Sequence, residues 1–341
     1  ARDAEQAAAA GGRGRPRMPA LAPSGAASAA WELPSGEFAP GLPQPRLVSD
    51  TLLGGEAYAL LKPAGWEVDV AEEASPGGVS SSPPSGRSGI VCARLSHFLR
   101  LAAPLESRIA RDPSHNFGLL HRLDANSSGL VVGARTYAAY YRLHWALHTY
   151  QLDREYVVLS HGRVDPALRE IDQRLVARGR ASYPVSSGGL PARTSLRVIA
   201  HLRQGDDDNV GGGCEPRDLS LLVISIHTGR QHQIRAHLAS VGHPVVCDLR
   251  YNAPGFAEDR RWCPRNFLHR CRLGGLPSSS DPHSGTSAVQ TDNCASAAVA
   301  SGLPEDLVGA LRGLRPVCRA SGDAVAKWLR GEVMHVPPFS E

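Results

Sequence analysis

The hydrophobic pattern divides the chain into strands and helices in alternation. Tyr58-Ala59-Leu60-Leu61 reads as a short buried strand, ended by the turn formers Pro63 and Gly65. Leu130-Val131-Val132 begins a second buried strand, and residues 154–162, from Arg154 to Gly162, alternate and are rich in β-branched residues. Residues 192–199 alternate as a strand, and Leu221 to Ile226 is a continuous apolar run of strand length. Helical spacing appears between 90 and 111, at Val91, Leu95, Phe98, Leu99 and Leu101. It returns after Thr136, a helix cap, where Tyr140, Leu143, Leu147 and Tyr150 form one apolar face. A third helix is expected from Thr228, with Gln231 completing a capping box, Ile234, Leu238 and Val241 buried, and Gly242 just past the end. Leu268-His269 closes another short apolar segment, and Leu303-Pro304-Glu305-Asp306-Leu307 opens a last helix with Pro and acids at its start.

Between these elements lie tracts of low complexity. Residues 1–45 are Ala, Gly, Pro and Arg without periodicity and are expected to be disordered or linker-like. A basic, Ala-rich leader suits an organelle transit peptide, against which Asp3 and Glu5 count. Residues 71–88 and 273–302 read as low-complexity insertions, and Asp206, Asp207 and Asp208 as a solvated hairpin tip. The remainder, 46–341, is expected to fold as one domain.

Composition narrows the function classes. No window of eighteen uninterrupted apolar residues occurs, so no membrane-spanning helix is expected. Seven cysteines without a C-x-x-C pair or regular spacing argue against a disulfide framework and a zinc ribbon, and make a reducing, intracellular compartment the default, cytoplasmic or within a plastid or mitochondrion. Net charge is +4, and Lys62 and Lys327 are the only lysines among 37 basic residues. Arginine suits phosphate forks and base stacking, although the Ala- and Gly-rich composition points to codon bias as the main cause.

The candidate chemistry gathers at two places. His121-Arg122-Leu123-Asp124-Ala125-Asn126-Ser127-Ser128-Gly129 puts a carboxylate on a tight polar turn at a strand entrance. Two readings are open there: an acid poised for chemistry, or an Asp that caps the turn and pairs with Arg122. Thr228-Gly229-Arg230-Gln231-His232-Gln233-Ile234-Arg235-Ala236-His237-Leu238 brings a helix N-terminus, flanked by Arg230, to the end of a strand, with His232 and Arg235 on one face. Such an end attracts anions. Lys62, at a strand end, reads equally as a phosphate contact or a surface lysine. His232, His237 and His243 are spaced by five and six, unlike the H-x-x-x-H pair that binds zinc, so no metal is expected.

In this order, Lys62-Pro63-Ala64-Gly65, the HRLD run at 121–124 with Ser127-Ser128-Gly129, Glu155-Tyr156, the TGRxHQIRxHL block at 228–238, and Gly242-His243-Pro244-Val245 with Asp248, the chain resembles the RluA-type pseudouridine synthases. The match runs over residues 50–270 and the L-P-E-D-L helix. The resemblance implies a mixed, mostly antiparallel sheet with flanking helices (an α/β fold of the α+β type) and a central active-site cleft. It implies isomerisation of uridine to pseudouridine in rRNA, tRNA or mRNA, without cofactor, membrane or obligate protein partner, by a monomer. Asp124 is then the carboxylate nucleophile, Tyr156 lies against the base, and Arg235 pairs with Asp124. Arg122 fills the gap left by the flipped nucleotide, and His121, Arg230, His232, Gln233 and Lys62 are expected to contact substrate. Arg154 stands where the family usually has Lys, and the segment after Leu268-His269 matches poorly. The competing readings are a catalytically inactive RNA-binding or RNA-chaperone relative, which the combination of Asp124, Tyr156 and Arg235 speaks against, and a metal-dependent hydrolase, which the histidine spacing opposes.

Overall fold

A computed structural model describes residues 41–68, 93–104, 107–179, 181–205, 216–277 and 297–333. The expected loop at 71–88 and the hairpin tip at Asp206 to Asp208 lie outside the described residues, as do residues 1–40.

In chain order the strands are β1 (Arg46–Leu52), β2 (Ala57–Lys62), β3 (Trp66–Glu67), β4 (Ala93–Arg94), β5 (Ser128–Ala134), β6 (Asp153–His161), β7 (Glu170–Asp172), β8 (Arg174–Arg178), β9 (Ala181–Val185), β10 (Arg193–Gln204), β11 (Arg217–Ile226), β12 (Leu268–Leu276), β13 (Ala297–Ala300) and β14 (Arg315–Pro316). The helices are α1 (Leu95–Ala102), α2 (Tyr137–His148), α3 (Gln233–Ser240), α4 (Ala253–Asp259), α5 (Glu305–Arg312) and α6 (Arg319–Leu329). One ten-stranded sheet runs β1-β2-β5-β12-β6-β11-β10-β14, with β13 added beside β12 and β7 beside β10. Its ladders are antiparallel except β5–β12, which is parallel. Two small pairs, β3–β4 and β8–β9, stand apart from it. Among the described residues no helix is long and apolar enough to cross a membrane.

Helices cover both faces, so the central strands are buried throughout rather than alternating with solvent. Tyr156 and Val158 of β6 and Leu222 and Ile224 of β11 point to one face, where α1 and α3 pack through Phe98, Ile234 and Leu238. Val157, Leu159, Leu221 and Val223 point to the other, against Leu307 and Leu311 of α5 and Trp328 of α6. Further along that second face, Leu130 and Val132 of β5 meet Ala139, Tyr140 and Leu143 of α2. Each large side chain so enclosed contributes about 1.5–3 kcal/mol.

The helix ends show where local chemistry is legible. Thr136 caps α2 by accepting from the Ala139 amide at 3.1 Å. Tyr150, however, is exposed and has a positive φ of 59°, so the apolar stripe of α2 ends at Leu147. The helical spacing between 90 and 111 yields α1 and, later, a 3-10 turn at Ile109–Arg111. α3 ends as expected: Gly242, at φ 85°, donates to the Ala239 carbonyl at 3.1 Å, and His243 donates to Leu238 at 2.9 Å.

The start of α3 corrects the sequence reading. Thr228 does not form a capping box with Gln231; the helix begins at Gln233, and the residue before it, His232, is left-handed at φ 52°. Thr228 instead donates its hydroxyl to Gln233 Oε1 at 2.7 Å. A second correction concerns the tract from 273. Residues up to Leu276 continue β12, and 297–300 return as β13, with Leu273, Leu276 and Val299 buried in one cluster. Short apolar residues scattered among Gly and Ser carry too little periodicity to reveal a strand.

Candidate active site

The turn that carries Asp124 is fixed from beneath. The Ser127 amide closes it on the Asp124 carbonyl at 3.0 Å. Lys62, at the end of β2, is fully buried, and its ammonium donates to the carbonyls of Ser127 (2.6 Å), Trp66 (2.8 Å), Pro63 (3.0 Å) and Ala125 (3.2 Å). Neither open reading of Lys62 therefore holds: it is neither a surface lysine nor a substrate contact, but a buried cation satisfied by main-chain oxygens. Asn266 and Arg265 add side-chain bonds to Ser127 Oγ (3.1 Å) and Ser128 Oγ (2.9 Å). Gly129 follows at φ 134°, and a Cβ there would sit 2.4 Å from the Arg270 amide nitrogen. Only glycine permits β12 to lie this close to the turn.

α3 supplies the counter-ion. Arg235 Nη1 donates to Asp124 Oδ2 at 2.8 Å, while Nε and Nη2 form a fork to the two oxygens of Asp248 at 2.6 and 2.7 Å. The other Asp124 oxygen lies 3.8 Å from His232 Nε2. Asp248 is sealed at 0% side-chain exposure and Asp124 retains 18%, so of the two carboxylates it is Asp124 that faces the cleft. Burial pulls the Arg235 pKa down, but the hydrogen bonds and charge of Asp248, and then of Asp124, more than reverse it; the guanidinium is held above its usual range. Burial holds His232 below the ordinary imidazole value despite Asp124 beside it.

The opposite wall is β6 and β12. Tyr156 is buried, and its oxygen accepts from Arg270 Nη2 at 2.5 Å and Nε at 2.9 Å, with the guanidinium 5.0 Å above the ring centroid. Arg270 Nη1 also donates to His121 Nδ1 at 2.7 Å. Burial first, then the charges of Arg270 and Arg154, hold His121 well below the usual imidazole range, so it is neutral at physiological pH. Arg154 donates to the His227 carbonyl, and burial draws its pKa down to about 10.

These walls form a cleft that opens to solvent. Asp124, Tyr156, Arg235, His121, Arg122, Arg230, His232 and Gln233 all line it; Lys62 does not. Gln233 is a second correction among the expected substrate contacts. Its Oε1 accepts from Thr228 and from the Arg230 amide, and its Nε2 donates to the Arg193 carbonyl and Thr194, so the amide spends its bonds anchoring α3. Two other histidines of the helix region are engaged elsewhere: His237 with Thr194 Oγ1 and the Gln173 carbonyl, His243 with the His161 carbonyl. Sequence reasoning missed Arg270 as a site residue and assigned no role to Asp248. Asp248 stood in the recognised motif and so carried a signal, whereas nothing in Leu268-His269-Arg270 marks the arginine as buried.

Comparison with known proteins adds to this geometry. Residues 61–240 match the family described as RNA pseudouridylate synthase. The chain is 29% identical over 255 residues to ribosomal large subunit pseudouridine synthase D of Nitrosomonas europaea, covering 72% of this chain and 63% of that protein. It is 33% identical over 157 residues to the protein of the same name from Vibrio vulnificus, covering 44% of each. The chain thus spans less than two thirds of these curated relatives. Its fold is similar to that of human RNA pseudouridylate synthase domain containing 1, with a TM-score of 0.53 at 20% identity over 84% of this chain and 95% of the other.

Proposed function

This chain belongs to the RNA pseudouridylate synthase family, and from that membership we propose that it isomerises uridine to pseudouridine in RNA, with ribosomal large-subunit RNA as the first substrate to test. The observation that carries the reading is the pairing of a cleft-facing Asp124 with Arg235 in the same cleft as Tyr156. In the reaction the N1–C1′ bond breaks, the detached uracil turns within the cleft, and C5 joins C1′. Asp124 serves as nucleophile, or as counter-charge to the cationic sugar, and Arg235 aims it and keeps it ionised. Tyr156 lies against the base and takes part in removing the C5 proton. Arg122, exposed at the rim, fills the space vacated when the nucleotide leaves its stack. His121, Arg230 and His232 complete the contacts to the bound nucleotide.

An inactive RNA-binding relative has no need of a partly exposed carboxylate held by a buried cation, which favours the catalytic reading. The test is direct. Purified protein is incubated with a transcript of large-subunit ribosomal RNA and with total RNA from cells lacking the protein, and pseudouridines are mapped. New sites in either RNA support the reading; RNA bound but unchanged in both supports the RNA-binding alternative.

A further inference from the structure

Arg270 is an unusual group. It lies in the middle of the sheet, 2% exposed, and each of its N–H groups has an acceptor: Tyr156 Oη twice, His121 Nδ1, the Leu130 carbonyl at 3.1 Å and the Arg122 carbonyl at 3.3 Å. Every acceptor is neutral. Among the described residues no ion pair joins it to a carboxylate, whereas Arg272, two residues along β12 and partly exposed, has Glu155 at 2.6 Å. A buried cation without a counter-ion is costly and persists where something else uses its field. What it faces most closely is the oxygen of Tyr156.

We propose that Arg270 is a positioning residue for the C5 proton step, fixing Tyr156 Oη beside the base by a two-donor fork and supplying the charge that balances this oxygen when it is deprotonated. This deepens the reading above and rests on it. With both fork donors spent on one side of the oxygen, its remaining direction opens to the cleft that Tyr156 and Arg270 both line. The step balances as follows. Tyr156 releases its phenolic proton to water, leaving an anion that Arg270 neutralises. After C5 has bonded to C1′, the C5–H electron pair re-forms the C5–C6 double bond, and the proton passes to the Tyr156 oxygen. Water returns a proton to N1, which was freed when the glycosidic bond broke. One proton leaves carbon and one joins nitrogen, with no change in oxidation state. His121 belongs to the same device: being neutral, it offers Arg270 an acceptor rather than a competing charge.

The experiment uses the full chain and a large-subunit ribosomal RNA transcript made with uridine carrying hydrogen, deuterium or tritium at C5, with total RNA from cells lacking the protein as the alternative substrate. Tritium release to water reports turnover. For Arg270→Gln we expect KM to remain near wild type, kcat per folded molecule to fall about 100-fold, and a C5 deuterium isotope effect on kcat to emerge or grow, because the proton step becomes slower than the others. Arg270→Lys, which keeps the charge and loses the fork, should fall between the two in both kcat and isotope effect. If the Gln variant does not fold, the Lys variant decides by its isotope effect alone, since a general loss of folded protein leaves an isotope effect unchanged. Variants with wild-type kcat, or with reduced kcat and an unaltered isotope effect, overturn the proposal. Absence of tritium release by the wild-type protein from both RNAs instead overturns the functional reading itself.

Discussion

Asp124 and Asp248 bind two edges of one guanidinium, Asp248 through a fork at 2.6 and 2.7 Å and Asp124 through a single bond at 2.8 Å. The fork fixes the plane of Arg235, and the remaining edge is thereby aimed at Asp124. Asp248 itself is held by the amides of Arg250 and Tyr251 at 3.0 and 3.2 Å. The orientation of the cleft carboxylate is thus set by a sealed carboxylate that never meets the cleft.

Asp124→Asn should fold with a wild-type melting temperature and lose activity by roughly 10³-fold or more, because the amide keeps the shape and cannot serve as the nucleophile. Pseudouridine formation per folded molecule is the measurement; turnover near wild type would remove Asp124 from the mechanism.

Asp248→Asn removes the charge that anchors Arg235 and breaks a buried pair. Stability should drop by roughly 3–5 kcal/mol, read from the urea midpoint, and kcat should fall even in conditions where the variant is fully folded. An equally stable, equally active variant would mean that Asp124 alone suffices to hold Arg235.

Lys62→Met strips the donor from four carbonyls of the turn. A loss on the order of 3 kcal/mol is expected. The slope of log affinity for RNA against log salt should stay the same, because the ammonium is buried and neutralises no phosphate. A slope shallower by about one counter-ion would return Lys62 to the substrate.

Stability should also fall as the medium is acidified from pH 7. His269 is fully buried, and burial, followed by the charge of Arg265, lowers its pKa to about 3; His121 is lowered in the same sense. In the unfolded chain both protonate near pH 6.5. Between those values the unfolded state binds more protons, so stability is full above about pH 6.5 and is lost as pH drops, by about 1.4 kcal/mol per unit for His269. Urea midpoints at pH 7, 6 and 5 measure this, and His269→Gln should flatten the trend by one proton. A midpoint constant over this range would contradict it.

Deleting residues 275–300 removes Leu276 and Val299 from their cluster together with β13. The cost should be at least about 2 kcal/mol, visible as a lower melting temperature. A deletion variant as stable as the parent would show that this edge of the sheet is dispensable.

How far the sequence disclosed all this follows from the range of each signal. Strands such as Leu221 to Ile226, the Thr136 cap and the Gly242 end of α3 depend on neighbours in sequence, and they were legible. The pairing of Asp124 with Arg235 spans 111 positions and was reached through the ordered motifs, not through periodicity. What escaped was burial of charge. Lys62, Gln233 and Arg270 are polar residues whose surroundings come from distant segments, and a polar residue in a strand or at its end looks the same whether it meets water, a ligand or four carbonyls. The left-handed His232 was likewise invisible, because Thr228 and Gln231 have the spacing of a capping box while the hydroxyl goes to Gln233.

The parallel seam between β5 and β12 has a consequence for how the protein comes into being. The Asp124 turn leaves the ribosome long before the residues that give it meaning: Arg235 follows by 111 positions, and Arg270 trails Tyr156 by 114. Until β12 slides in beside Gly129, the cleft lacks one wall, and β5 and β6 each present an unpaired edge. Pairings over such distances form slowly. A nascent or truncated chain ending before β12 therefore holds Asp124 and Tyr156 without Arg270, with strand edges open to pairing by other chains.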